Sequence, residues 1–375
     1  MTKNENSPLS EACECDPTLR ADLADATDPE KGAGMIGYKE ETVGDELDIL
    51  SLSDVGSIAR FGGKGDGATD VGPAIAAGLV VCSCLTFPWT AEGYVITNSL
   101  SIELDDNIEI DFNGSVIDFG DMARLRFQSP VVVDGLTLAE YVLSGSAFIK
   151  LNSHIGIQAG DILYISTNQQ PSPEWADTKK DCVRIKGFYS GYIWLEEPIN
   201  FGYWPSDPGF SATIYRPRSV VLRNGRLLLG NDAVPRVMIE ITGCQDVVLD
   251  RLIVEGKNPI DVASSITRVG VALYRCIGAR VLSPTFIRMS YPIETDGGTR
   301  NVRATNVLAR DCHHTIEACD WSSNITVDGL NASGCYSAIS AHPSFNVHFI
   351  ESPRVLRRLQ LLRKWSHEQE QQVFP

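Results

Sequence analysis

Two carboxylates in the C-terminal half of the chain recur at matching positions of an imperfect repeat. Asp296 lies 15 residues after Val281, and Glu317 lies 15 residues after Val302. If the two valines are equivalent, both carboxylates share one face on neighbouring strands, about 4.8 Å apart. Enzymes that hydrolyse glycosidic bonds hold two carboxylates about 5–5.5 Å apart to retain the anomeric configuration, and about 6.5–9.5 Å apart to invert it. The spacing therefore predicts Glu317 as a general acid and Asp296 as a nucleophile or base.

Other side chains near this pair could bind a sugar chain or assist the reaction. His313 could assist proton transfer, while Tyr291 and Trp321 flank the pair as platforms for stacked sugar rings. In an elimination reaction, Arg300 would neutralise the carboxylate of a uronate while a base removes the proton from C5. Three more acidic residues are alternative catalytic groups: Glu294, Asp311 and Asp320. The competing interpretation is structural, because acidic residues at turns are often solvated or bonded to their own backbone.

These residues would be positioned by a repeated strand start, in which a polar residue precedes a β-branched one. The repeat has spacings of 27, 34, 21, 23 and 22 and occurs at Val220, Val247, Val281, Val302, Ile325 and Val347. Such a period, with occasional insertions, is typical of a parallel β-solenoid, in which each coil buries its inner face only against its neighbours. We therefore expect an all-β fold built from stacked coils.

Two residue types at fixed positions of the repeat predict contacts between coils. Asn301, Asn324 and Asn346 each precede a strand start, so their side chains should stack into a hydrogen-bonded ladder. Cys312 and Cys335 each lie ten residues after a strand start, and we expect them to stack as small hydrophobic side chains.

The remaining chain divides into regions of different pattern. The sequence FGGKGDGATD at 61–70 predicts a tight loop without phosphate-loop spacing, and 70–80 predicts a short helix with Pro73 in its first turn. Residues 154–215 break the repeat and predict a small antiparallel β insertion, whose aromatic residues form either a satellite core or a sugar-stacking surface. The expected organisation is a disordered tip (1–15), a neck or linker (16–55), the start of the β-helix with a capping helix (56–153), the insertion (154–215), further coils (216–349) and an atypical tail (350–375).

Composition excludes several classes of function. The 375 residues include 32 Lys or Arg and 48 Asp or Glu, a net charge of −16, so the chain lacks the basic surface that nucleic acid requires. The most apolar window, 74–87, is shorter than the about 20 residues of a membrane-spanning helix, and no secretory signal is recognisable. We expect reduced cysteines. We also expect no cofactor and no metal, because the C-x-C pairs do not match a zinc ligand set.

Three parts of the sequence carry a family resemblance. The 61–70 loop, the Ala-rich helix and the strand LTFPWTAEGYVIT resemble the opening of the pectate-lyase-like right-handed parallel β-helix proteins. Residues 18–50 resemble the neck that precedes the β-helix in bacteriophage tailspike proteins. The segments GDILYIS and SAHPSFNVHF are also similar to tailspikes, so the resemblance covers roughly residues 16–349. The chain departs from the pattern at Gly63, where the family has alanine, and at 71–73.

The resemblance implies a right-handed parallel β-helix in a homotrimeric spike of the virion tail, made in the cytoplasm of the host bacterium. Such spikes contact other phage tail proteins and bind bacterial surface polysaccharide, either capsule or lipopolysaccharide, during host adsorption. Many also depolymerise it by hydrolysis or elimination, so we expect a polysaccharide depolymerase without membrane insertion. The alternatives are a non-catalytic or truncated tail component and a free pectinase-like hydrolase or lyase.

Both ends of the chain depart from the tailspike pattern. Only 15 residues precede the neck-like segment, and the strand pattern stops after Phe349. Residues 351–375 hold five basic and three acidic residues in a Leu/Arg-rich run. We expect either a frameshift that truncates the β-helix at this point or a helix that caps the open end of the solenoid.

Overall fold

The computed structural model describes residues 56–350 except 121–122, 174–176, 231–235 and 261–267, together with a small hairpin of β1 (Gly37–Tyr38) and β2 (Glu41–Thr42). The expected tip, most of the neck and the residues after Ile350 lie outside the described residues. The described residues from Ile58 to Ile350 belong to one compact unit. No helix among the described residues is both long and apolar enough to cross a membrane.

The chain from residue 84 onward winds through three parallel β-faces in a fixed order, one strand per face and per coil. The first face comprises β3 (Cys84–Thr86), β6 (Ile108–Asp111), β15 (Val220–Arg223), β18 (Gln245–Asp250), β21 (Ile277–Leu282), the first halves of β24 (Arg300–Arg310) and β26 (Ser323–Ser333), and β28 (Phe345–Ile350). The second face comprises β4 (Tyr94–Val95), β7 (Val116–Asp118), β16 (Arg226–Leu229), β19 (Ile253–Gly256), β22 (Thr285–Ile287) and the second halves of β24 and β26. The third face comprises β5 (Leu100–Glu103), β8 (Leu125–Gln128), β17 (Arg236–Thr242), β20 (Arg268–Tyr274), β23 (Tyr291–Asp296), β25 (His314–Ala318) and β27 (Ser337–Ala341). This arrangement is a parallel β-helix, as the repeat predicts.

The coils are held together by columns of apolar side chains that point inward. One column on the first face runs through Leu85, Ile110, Leu222, Leu249, Val281, Ala304, Val327 and Phe349. All but the last are at most 1% exposed. Since burying one such aliphatic side chain contributes about 1.5–3 kcal/mol, these columns are the main stabilising term of the solenoid.

The register of one coil differs from the sequence prediction. Val247 pairs with Ala279, which in turn pairs with Val302, so the column of strand starts contains Ala279 and not Val281. The prediction of Val281 as a strand start was therefore wrong by two residues. Its cause is local, because this coil has a glycine and an alanine at the two positions where the pattern requires a polar and a β-branched residue.

The predicted ladder of asparagines is confirmed. The Asn324 side-chain amide donates to Asn301 Oδ1 over 2.9 Å, and the Asn346 amide donates to Asn324 Oδ1 over 3.2 Å. All three residues have positive φ values between 52° and 60°, a conformation that asparagine tolerates better than most residues. The stacking of Cys312 and Cys335 is also confirmed, since Cys312 lies in the hydrophobic core and Cys335 packs against that core. The eight cysteines among the described residues are free thiols.

The first coil is preceded by the predicted helix. Helix α1 (Gly72–Val81) has Pro73 in its first turn, and it follows a short 3₁₀ helix (Ile58–Phe61). Helix α1 packs closely on the first strand, because a Cβ added at Gly78 would lie 2.6 Å from Leu85 Cδ2. The helix thus covers apolar side chains at the start of the solenoid.

An antiparallel β insertion separates the second coil from the third. Its strands lie in the order β10 (Phe148–Ile149), β13 (Tyr192–Leu195), β12 (Lys180–Tyr189), β11 (Ile162–Ser166), β14 (Ser211–Tyr215) and β9 (Val131–Leu136). The insertion has its own core, which includes Leu163, Val183 and Ile214. It begins near residue 131 and not at 154, because β9 pairs antiparallel with β14 and does not continue the coils.

Candidate active site

A cluster of acidic side chains lies on the outer surface of the third face. In β23 and β25, Ile293 and Ile316 point into the core, so alternation directs Glu294 and Glu317 outward. We call this surface the carboxylate face and define it by five residues: Glu240, Glu294, Asp296, Glu317 and Asp320. The first four lie on β17, β23 and β25, and Asp320 lies in the turn after β25.

The structure changes which carboxylate lies beside Glu317. Glu294 pairs directly with Glu317 on the neighbouring strand, whereas Asp296 pairs on its other side with Tyr274. The predicted equivalence of Asp296 and Glu317 was therefore wrong, because it was counted from Val281 and inherits that two-residue error. Adjacent parallel strands place Glu294 and Glu317 about 4.8 Å apart along the solenoid.

Glu317 is buried among histidines. It is 5% exposed, and its Oε1 lies 3.1 Å from Nε2 of His342. Its Oε2 lies 3.9 Å from Nε2 of His314 and has no hydrogen-bond partner among the described residues. The hydrogen bond with Glu317 raises the pKa of His342, while burial lowers the pKa of His314 to about 4. One oxygen of Glu317 is thus fixed by a histidine, and the other carries no hydrogen bond among the described residues.

Glu294 has a different environment from its neighbour. Burial and, secondly, the negative charge of Glu317 raise the pKa of Glu294, so its protonated form persists to a higher pH than that of an ordinary glutamate. Its nearest sulfur partner is Cys319, whose Sγ lies 3.9 Å from Glu294 Oε1. Glu294, with its raised pKa, thus lies beside a histidine-bound carboxylate, and two adjacent carboxylates in different environments match the needs of a proton donor and its partner.

Asp296 lies in the same cluster, beside another carboxylate. Burial, a hydrogen bond with Asp320 and the charge of Asp320 raise the pKa of Asp296 to about 8. Lys180 of the insertion forms an ion pair with Asp320 from the other side. Ligand atoms of Glu294, Asp296 and Cys319 lie within 4.8 Å of one another, but a thiol and two carboxylates favour different metals, so this set does not define a site for one cation.

Aromatic rings border the carboxylate face. Tyr291 stacks on His314 with ring centroids 5.5 Å apart, and His313 stacks on Tyr336 with centroids 5.0 Å apart. Tyr336 is 60% exposed and offers an open ring, which the sequence prediction missed. Tyr291 and His313 therefore lie beside the carboxylates, as expected, although His313 is 7% exposed and largely covered by its neighbours.

Trp321 and Arg300 are buried where the insertion meets the coils. Trp321 is 4% exposed and donates from Nε1 to the carbonyl of Thr178 over 2.7 Å. The side chain of Arg300 is 3% exposed and pairs with Asp181 over 2.6 Å. These positions do not favour the expected roles in sugar stacking and substrate neutralisation. The sequence could not reveal this burial, because the insertion residues that cover Arg300 and Trp321 are distant in sequence.

The insertion also contributes one side of the candidate site. Lys180, at the start of β12, pairs with Asp320. The negative charge of Asp177 contributes to the raised pKa of His342, after the larger effect of Glu317. The alternative residue Asp311 lies elsewhere, in the turn after β24, where its charge acts on Cys335. Neither Lys180 nor His342 has a local sequence signal that would connect it to Glu317.

Comparisons with known proteins identify the fold. No protein-family model matches the chain, and no curated protein matches it. Among solved structures, the tailspike protein gp49 from Pseudomonas phage LKA1 is similar, with a TM-score of 0.51 and 15% identity over 73% of this chain and 59% of that protein. The tailspike gp61 of Pseudomonas phage phi297 has a TM-score of 0.48 and 11% identity, covering 80% and 76% of the two chains. The gp54 tailspike of Acinetobacter baumannii phage AP22, solved with a capsular saccharide, has a TM-score of 0.39 and 13% identity, covering 86% and 76%.

The chain spans 59% of the length of the LKA1 tailspike. At 15% identity the similarity concerns the path of the backbone. The chain therefore has the parallel β-helix fold of bacteriophage tailspike proteins.

Proposed function

We propose that this protein binds a bacterial surface polysaccharide along the carboxylate face and hydrolyses its glycosidic bonds. The observation that carries the proposal is the pair of neighbouring carboxylates with opposite environments. Glu294 has a raised pKa, while Glu317 contacts His342 over 3.1 Å. Retaining glycosidases need such a pair at about 5–5.5 Å, which agrees with adjacent strands of the solenoid.

The roles follow from the two environments. Glu294 is the general acid that protonates the leaving oxygen, because its raised pKa lets it keep its proton to a higher pH than an ordinary glutamate does. Glu317 is the nucleophile, since Oε1 is fixed by His342 while Oε2 carries no hydrogen bond among the described residues. Tyr336 supplies an exposed ring for stacking. Asp296 lies close enough to Glu294 to act as a second proton reservoir.

The charges on this surface favour hydrolysis over elimination from a uronate. An elimination requires a cation that neutralises the substrate carboxylate. Three Lys or Arg side chains among the described residues form ion pairs with the carboxylate face: Lys180 with Asp320, and Arg124 and Arg126 with Glu240. Arg300, the residue expected to fill this role, pairs with Asp181. A neutral or amino-sugar polysaccharide fits this surface better than a polyuronate.

The proposed hydrolysis is tested by single substitutions of the two glutamates. Purified Glu317→Gln and Glu294→Gln proteins would be incubated with a panel of purified capsular polysaccharides and lipopolysaccharides, and chain length and new reducing ends measured. We expect both variants to lose at least about a hundredfold of the rate. Glu103→Gln is the matched control, because Glu103 is exposed on the same face four strands away, about 19 Å from Glu294. Full activity of Glu317→Gln would refute the assignment.

We further propose that the protein is a homotrimeric spike of a virion tail that acts in host adsorption and contacts other phage tail proteins. The neck-like sequence at 18–50 and the β-helix fold support this proposal. Sedimentation equilibrium would give three times the 41.0 kDa chain mass, and a monomer would contradict it. If the wild-type protein binds polysaccharide without shortening it, the second candidate, a non-catalytic adhesion component, replaces the hydrolase.

A further inference from the structure

The antiparallel insertion carries a second group of aromatic side chains that its core does not use. Phe148 and Trp194 pair across β10 and β13, and their rings stack 5.8 Å apart at an interplanar angle of 13°. They are 42% and 38% exposed, whereas the adjacent Ile149 and Ile193 point into the core of the insertion. The stacked rings therefore form an open apolar plate on the outer surface of the sheet.

A cavity of about 510 Å³ lies beside this plate. It is lined by residues 140–146, Phe148–Lys150 and Tyr192. Tyr192 donates from its hydroxyl to Glu140 Oε2 over 2.7 Å, and Lys150 pairs with the same carboxylate. The volume falls within the usual range of small-ligand sites, about 300–1,000 Å³.

Charged groups also lie over the aromatic rings. The Lys186 ammonium lies 4.2 Å from the centroid of the Trp194 ring, and the Lys150 ammonium lies 5.3 Å from that of Tyr192. A pyranose ring has one apolar face of C–H groups and a rim of hydroxyl groups. The aromatic plate can stack on the C–H face of the sugar, and the neighbouring carboxylate, ammonium and phenol groups can form hydrogen bonds with its hydroxyl groups.

We propose that this outer surface of the insertion, defined by Glu140, Phe148, Lys150, Tyr192 and Trp194, is a second saccharide-binding site. Its ligand is a hexopyranose segment of a bacterial surface polysaccharide. The choice of this class of polymer rests on the proposed function. Among the described residues that line the cavity, Glu140 is the single carboxylate, and it is bonded to Lys150 and Tyr192. The site therefore binds without cleaving and holds the chain while the carboxylate face acts on it.

The test measures glycan binding in a protein that does not cleave its ligand. Glu317→Gln protein would be applied to an array of purified capsular polysaccharides and lipopolysaccharide O-chains, alone and combined with Trp194→Ala or Phe148→Ala. We expect each added substitution to weaken binding about tenfold, which corresponds to the loss of one stacking contact. Trp89→Ala is the matched control, because Trp89 is 65% exposed and lies in the first coil, between β3 and β4, outside the insertion. It should leave binding unchanged.

Two outcomes would overturn the proposal. One is that the parent protein binds no glycan on the array, or binds equally well with and without Trp194→Ala. The other is that Trp194→Ala changes the oligomeric mass in light scattering, which would make this surface an interface between copies of the chain. Circular dichroism of both aromatic variants checks that they fold. Cleavage by wild-type protein is measured separately, so failure of the hydrolase proposal and failure of this one are distinguishable.

Discussion

Replacing Arg300 by methionine should destabilise the protein strongly, because Arg300 joins the coils to the insertion. Its guanidinium bonds Asp181 over 2.6 Å and the Pro198 carbonyl over 3.1 Å, at a side-chain exposure of 3%. The substitution leaves the fully buried Asp181 without its cation, although the backbone N–H of Asn200 and the Tyr203 hydroxyl still donate to it. Removing one partner of a buried ion pair costs about 3–5 kcal/mol.

The assay is urea denaturation at a fixed protein concentration, since oligomer stability depends on concentration. Arg303→Met is the matched control. Arg303 is 62% exposed and pairs with the partly exposed Asp328, so its loss should cost at most about 1 kcal/mol. Adding Asp181→Asn to Arg300→Met should recover part of the stability, because a neutral amide does not need a buried cation.

A different result would restore the substrate-binding role that the sequence predicts for Arg300. If Arg300→Met is as stable as Arg303→Met but raises the KM for polysaccharide, the main role of Arg300 is substrate binding and not the buried ion pair. If the Asp181→Asn addition causes a further loss instead of a recovery, the two side chains are not coupled through charge.

Three further predictions concern stability. Because folding raises the pKa of Asp296 to about 8 from the about 3.9 of an unfolded aspartate, the folded state binds an extra proton between these values, so stability should fall as pH rises from about 4 to about 8. The melting temperature should depend less on pH in Asp296→Asn than in the wild-type protein, and it should be unaffected in this respect in the surface control Asp328→Asn. If Asp296→Asn shows the same pH dependence as the wild-type protein, the pKa of Asp296 is not raised. Asn324→Ala should lower the free energy of unfolding by about 3 kcal/mol, because it removes two hydrogen bonds and puts an alanine at positive φ. Asn324→Gly should cost less, because glycine adopts positive φ without strain. A denaturation midpoint of Asn324→Ala equal to that of the wild-type protein would contradict the ladder. Trp321→Ala should cost about 3–5 kcal/mol as a buried aromatic truncation, and calorimetric midpoints no lower than those of Trp89→Ala would count against its packing role.

Much of the fold could be predicted from sequence because a solenoid repeats local signals. The asparagine ladder needs only a residue type at a fixed position before each strand, so Asn301, Asn324 and Asn346 revealed it. The register of the coil at 277–282 could not be predicted, because Gly278 and Ala279 stand where the repeat otherwise has a polar residue followed by a β-branched one. The start of the insertion at 131 was also hidden, since β9 begins with three valines, which are as typical of a further coil strand as of an antiparallel one.

The candidate site could be predicted only in part. The acidic side chains around residues 294–320 were recognisable, but the choice of Asp296 as the partner of Glu317 depended on the misread register. Arg300 and Trp321 could not be recognised as buried, because the insertion that covers them lies more than 100 residues away in sequence. His342 and Lys180 reach the carboxylates from other segments, and no local pattern marks such contacts.

The central claim, that Glu294 and Glu317 on neighbouring strands form a catalytic pair, is tested most directly by the anomer that is released first. Proton NMR of a polysaccharide incubated with the wild-type protein would follow the new anomeric signal before mutarotation. A separation of about one strand spacing predicts retention of configuration. Inversion would contradict this pair and would require a carboxylate farther from Glu294, such as Glu240 two strands away.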